Sequence, residues 1–100
     1  MLVVMLTGPE CSQCPKQAQK IREALDSIDK ETMTVERYGD PVRYAEVSIT
    51  SLQGREMASR FHVMAVPATF VFDDQGECVV PPMIGVQPKY KLVALFKSVQ

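Results

Sequence analysis

The chain has no tryptophan, one histidine and three cysteines among its 100 residues. It has no excess of either charge, since 11 basic and 12 acidic residues leave a net charge of −1. A balanced charge gives no electrostatic footprint for nucleic acid or an anionic membrane surface. The longest unbroken apolar run, Met1 to Leu6, is far too short to span a bilayer. No basic segment precedes that run and "TGPEC" follows it directly, so a secretory signal peptide is not expected. No internal repeat or low-complexity tract is present. An odd number of cysteines argues against a disulfide framework. A single histidine argues against a structural zinc site, because only His62 and Cys78 could complete four ligands with a cysteine pair. Those two residues fall on separate predicted elements.

What remains is an ordinary globular composition, 46% hydrophobic and 23% charged. The length fits one domain over residues 1–100 with a core of its own. Residues 2–6, "LVVML", read as a strand buried on both faces. After "TGPE", residues 12–28 become helical in period, with Ala18, Ile21, Ala24 or Leu25, and Ile28 on one side. Pro15 falls in the first turn, where proline is tolerated. Residues 30–42 combine strand-like "TMTVERY" with the turn chemistry of "YGDP" and predict a small ribbon.

Residues 43–49 alternate as a strand, with Ala45, Val47 and Ile49 on one face and Tyr44, Glu46 and Ser48 on the other. Ser51 can cap a helix over 52–61, which Gly54 weakens. "ATFVF" at 68–72 is a strand, "DDQG" at 73–76 a hairpin turn, and "ECVV" at 77–80 the returning edge strand. A last amphipathic helix begins near Pro88 and turns Leu92, Leu95, Phe96 and Val99 inward. The order β-α-β-α-β-β-α predicts an α/β domain: a mixed four-stranded sheet with helices on both faces and a right-handed parallel crossover between the first two strands.

Cys11 and Cys14 stand in "ECSQCP", where the first strand gives way to the first helix. The N–H groups and dipole of a helix N-terminus favour a thiolate, the reactive form of cysteine. Cys14 lies about one turn further on, near enough to close a small disulfide ring. Cys11 would then attack a disulfide, and Cys14 would resolve the mixed disulfide. Glu10 opposes thiolate formation at Cys11 by its like charge, which predicts a reducing rather than a strongly oxidising centre. The third cysteine, Cys78, reads as a small packed hydrophobe, and His62 as a helix-end residue.

"CSQC" at a strand-to-helix junction, followed by "MAVPATFVFDDQGE" and "IGVQPKYKLVALF", resembles the thioredoxin and glutaredoxin superfamily. The resemblance covers nearly the whole chain and begins at the family's central strand. It therefore implies a thioredoxin fold without the N-terminal strand and helix of full-length thioredoxins. It implies a cis peptide bond at Pro67 facing the cysteine pair, with Val66 offering its backbone to an extended substrate. Gly85, Pro9, Glu10 and Gly8 would border the same docking surface.

The resemblance also implies no cofactor beyond a redox-active Cys11–Cys14 disulfide, and no metal. It implies protein disulfides as substrates, a thioredoxin reductase or similar reductant, a monomer, and a cytoplasmic location. The pair departs from the thioredoxin pattern: it lacks the flanking tryptophan and the inner Gly-Pro, and Met5 stands where thioredoxins bury an aspartate. The position of the family's buried lysine matches Glu46, which is expected to act as acid–base group for Cys14. Two other readings share the fold: a glutathione-dependent glutaredoxin, and a partner-binding module without turnover.

Overall fold

The protein is described by a computed structural model over residues 1–31 and 43–99. The elements are β1 (Leu2–Thr7), α1 (Cys14–Glu31), β2 (Arg43–Ser48), α2 (Leu52–Arg60), β3 (Ala68–Phe72), β4 (Met83–Ile84) and α3 (Lys89–Val99). They form one four-stranded sheet in the order β2-β1-β3-β4. β1 pairs parallel with β2 and antiparallel with β3, and β3 pairs antiparallel with β4. This is the mixed α/β sheet that the residue pattern predicts. α1 runs to Glu31, into the stretch expected to form a ribbon, and the remainder of that stretch, with "YGDP", lies outside the described residues.

The central strands are mostly apolar, with Thr69 the buried polar exception on β3, because each face meets a different helix layer. Val3, Met5 and Val71 pack with Ala18, Ile21, Ala24 and Ile28 of α1 and with Leu92 and Phe96 of α3. Val4, Leu6, Ala68 and Phe70 point the other way, against Met57, Ala58 and Phe61 of α2 and the residues after it. Period-two alternation along β1 thus fills two cores. On the α2 side, the rings of Phe61 and Phe70 lie 5.2 Å apart in a tilted pair, an arrangement aromatic quadrupoles favour.

The ends of α2 follow from local chemistry. Ser51 caps its start, and the Gly54 N–H donates to Ser51 Oγ at 3.0 Å. At its end His62 takes the left-handed conformation, φ 57°. The Val63 N–H reaches back to the Ala58 carbonyl at 2.8 Å and the His62 N–H to that of Ser59 at 3.4 Å. These are the two bonds of a Schellman termination. They give His62 its helix-end role and aim the chain toward Pro67.

The fourth strand falls later than the sequence suggests. "ECVV" contributes a single bridge, Phe72 to Cys78, with two flanking backbone bonds, from the Asp73 N–H to the Glu77 carbonyl and from the Val79 N–H to the Val71 carbonyl. Pro81 and Pro82 lack N–H groups and fix φ, so the ladder breaks there. It resumes at Met83–Ile84, opposite Thr69 and Ala68. The shift carries the edge strand toward the Pro67 end of β3.

Candidate functional site

β1 ends at Thr7, and a turn through Gly8, Pro9 and Glu10 delivers the cysteine pair to the start of α1. Glu10 has a positive φ of 59°, uncommon for a residue with a side chain. Cys11 and Cys14 are joined by a disulfide, with their Cα atoms 5.5 Å apart. Cys11 is half-buried, whereas Cys14 is only 3% exposed. The Cys14 backbone N–H points at Cys11 Sγ, 3.2 Å away. A helix-terminal donor therefore already faces the sulfur that would carry negative charge after reduction.

Beside the pair lies an open cavity of about 640 Å³. Its lining includes Gly8, Glu10, Cys11, Cys14, Arg22 and Glu46. Cys14, Ala18 and Arg22 line it at four-residue intervals along one face of α1. Glu46 reaches it from β2, opposite Met5 in the register. The Glu46 carboxylate is held from two sides. Arg22 Nη2 donates to its Oε2 at 2.9 Å, and the Tyr44 hydroxyl donates to the same oxygen at 2.9 Å. The Arg22 guanidinium also sits 6.0 Å from the Tyr44 ring centre. The ion pair is well exposed, so it positions the groups more than it stabilises the fold.

Burial pushes the Tyr44 hydroxyl well above its ordinary value of 10.0, and the hydrogen bond and negative charge of Glu46 push it further, against a smaller opposing effect from Arg22. The sign of the consequence is fixed. Above about pH 10 the unfolded chain loses this proton while the folded chain keeps it, so stability falls as pH rises; below pH 10 the contribution is present in full. Tyr44→Phe is expected to flatten that alkaline decline relative to wild type. Urea midpoints between about pH 9 and 11 measure it, and an unchanged slope would contradict the assignment.

The second half of the site comes from two loops. The Val66–Pro67 peptide bond is cis. Pro67 is buried, and its carbonyl accepts the Gly85 N–H at 2.8 Å. Gly85 has φ 86°, so glycine is required there by the backbone itself. Val66 packs against both cores, one of which Cys11 also packs against, and its side chain lies close against Gly8. Gly8, Val66, Pro67 and Gly85 are thus brought to the end of the sheet that carries the cysteines. Pro9 is exposed on its turn and does not line the cavity.

His62 is exposed beyond α2, and Cys78 Sγ donates to its neighbouring Val80 carbonyl at 3.2 Å. Among the described residues no group of three or more His, Cys, Asp or Glu is placed to hold a metal ion.

Sequence reasoning missed Gln17 and Thr69. Both are completely buried and bonded to each other. A glutamine one turn past Cys14, on the apolar side of α1, was the available signal. It also missed Arg22, which the spacing 14, 18, 22 places on the face of Cys14.

A parallel–antiparallel sheet of this order, with a Cys-x-x-Cys disulfide at a helix N-terminus and a cis-proline loop at the same end, defines the thioredoxin class of domains. The sequence matches the thioredoxin-like domain family over residues 1–100, and the chain belongs to that family. No curated protein sequence matches it.

Among solved structures, it is similar to thioredoxin-2, a component of malaria parasite protein secretion machinery. The TM-score is 0.66 and the identity 15%, over 97% of this chain and 81% of that one. A second malarial protein gives the same TM-score and identity over 98% of this chain and 94% of that one. At this identity the likeness shows a shared fold.

Proposed function

We propose that the protein is a dithiol–disulfide oxidoreductase that reduces protein disulfides. The observation that carries this reading is the Cys11–Cys14 disulfide at the N-terminus of α1, with Cys11 half-buried and Cys14 buried. In the reduced protein the Cys11 thiolate attacks a substrate disulfide. A Cys11–substrate S–S bond forms, the substrate S–S bond breaks, and one substrate thiolate leaves. Cys14 then loses its proton and attacks Cys11 Sγ. The Cys11–Cys14 disulfide forms, and the second substrate thiolate leaves. Two electrons have passed to the substrate, and a thioredoxin reductase or similar reductant restores the dithiol.

Glu46 is the proposed acceptor of the Cys14 proton. It shares the cavity with Cys14, and both its described bonds fall on Oε2, which leaves Oε1 to take a proton. Val66, Pro67 and Gly85, with Gly8 to Glu10 across the disulfide, form the proposed docking surface for an extended substrate. No helix among the described residues is long and apolar enough to cross a membrane. A reducing compartment such as the cytoplasm, and a monomer, suit this activity.

The test is reduction of insulin disulfides, driven separately by thioredoxin reductase and by glutathione with its reductase. Turnover with the first supports the proposal. Turnover with glutathione alone would make the protein glutaredoxin-like, and none in either would leave a binding module. In the active system Glu46→Gln is expected to slow resolution of the mixed disulfide by about ten- to a hundredfold, the lower part of the general acid–base range because the carboxylate is partly exposed. An unchanged rate would remove Glu46 from the mechanism.

A further inference from the structure

Among the described residues, Gln17 and Thr69 are the two buried polar side chains, both at 0% exposure. Gln17 stands among apolar side chains of α1 and uses both ends of its amide. Its Nε2 donates to Thr69 Oγ1 at 2.8 Å, and its Oε1 accepts the Gln87 backbone N–H at 2.8 Å. A backbone N–H can only donate, so the Gln87 bond fixes which way the amide points. Burying an amide is unfavourable unless it is fully paired, and an aliphatic side chain would fill the same space without that condition. The amide therefore sets a register that packing alone would leave loose.

The three elements it joins are the three that carry the site. Gln17 is one turn beyond Cys14. Thr69 is two residues beyond Pro67 on β3. Gln87 is two residues beyond Gly85, whose own N–H is held by the Pro67 carbonyl. The loop at Gly85 is thereby fastened twice, to the proline and to the cysteine helix. We infer that Gln17 is a positioning residue: through Thr69 and Gln87 it holds the cysteine pair in register with the docking surface at Val66–Pro67 and Gly85. This rests on the oxidoreductase reading above. It predicts that the clamp matters for large substrates that must dock, and not for small disulfides that need only an accessible Cys11.

The experiment compares two reactions of the reduced protein: insulin reduction, and reduction of the small aryl disulfide DTNB. Thr69→Val keeps the shape of the side chain but removes the acceptor of Gln17 Nε2. It is expected to lower kcat/KM for insulin about tenfold or more, since small misplacements of reacting groups are costly, while DTNB reduction changes less than about twofold. Thr69→Ser keeps the hydroxyl and is expected to restore the insulin rate. Gln17→Leu should repeat the Thr69→Val pattern, and Thr69→Val carries the test if Gln17→Leu does not fold.

An equal loss on both substrates, or no loss on insulin, would overturn the positioning role while leaving the redox reading intact. A wild-type protein that reduces neither substrate would overturn the redox reading and this role with it.

Discussion

Gly54→Ala is expected to destabilise the protein by about 2 kcal/mol or more, although it exchanges a poor helix former for the best one. Two effects oppose each other. In an exposed helix the substitution would gain about 1 kcal/mol. Here Gly54 is buried at the start of α2, and a Cβ would overlap the Ser48 carbonyl oxygen. It would also lie 2.7 Å from the Ser48 carbonyl carbon and 2.9 Å from Ile49 Cα. All three are backbone atoms at the end of β2, so no rotamer can yield. Overpacking against side chains costs about 1–3 kcal/mol, and a rigid neighbour raises it.

The clash wins, and α2 must move off the sheet or fray. A domain of this size loses about 4–8 °C of Tm per kcal/mol, so the melting temperature should drop by roughly 10 °C or more. Thermal unfolding followed by circular dichroism measures it. A variant melting at or above wild type would show that α2 sits further from β2 than described. Because α2 leads through His62 into the Val66–Pro67 turn, its displacement would also loosen the proposed docking surface.

Gly54 illustrates why part of the fold was hidden in the sequence. Read by propensity, it weakens the helix; read in space, it is what lets α2 approach the sheet. Local patterns were dependable where one physical demand dominates. The run "LVVML" had to be buried on both faces, and the spacing of Ala18, Ile21 and Ile28 had to face a core. Ser51 had to cap. The edge strand was misplaced because "ECVV" has the composition of a strand, and only the pairing partner decides where a ladder resumes. After two prolines that place is Met83–Ile84.

The site divides in the same way. The cysteines and the cis-proline were legible because motifs carry them. Gln17, Thr69 and Arg22 were not, because their roles come from partners 24 to 70 residues away along the chain. Nothing local separates Gln17 from Gln13 or Gln19, which are exposed on the same helix region. Glu46 lies between these cases. Its match to the position of the family's buried lysine raised the idea of an acid–base group. Its neighbours Arg22 and Tyr44 are what the fold added.

Cys14→Ser is expected to convert a catalyst into a trap. The two sulfurs differ in access, with Cys11 half-buried and Cys14 3% exposed, so the first attack on a substrate should survive the change. The second attack has no nucleophile, because serine at this position carries a hydroxyl with no tendency to ionise near neutral pH. Turnover of insulin should fall by at least about a hundredfold, the remainder coming from slow attack by outside thiols on the mixed disulfide. Substrate should accumulate on Cys11, one molecule per protein, visible on a non-reducing gel and released by dithiothreitol.

Cys11→Ser should give neither turnover nor adduct; adducts on Cys14 in that variant would reverse the two roles. The pair of variants also isolates Glu46. If Glu46 takes the Cys14 proton, Glu46→Gln lengthens the life of the mixed disulfide in the wild-type background and changes nothing in the Cys14→Ser background, where that proton is gone. A further effect in the Cys14→Ser background would place Glu46 at the first attack instead, where its contact with Arg22 at the cavity wall would bear on Cys11 rather than on Cys14.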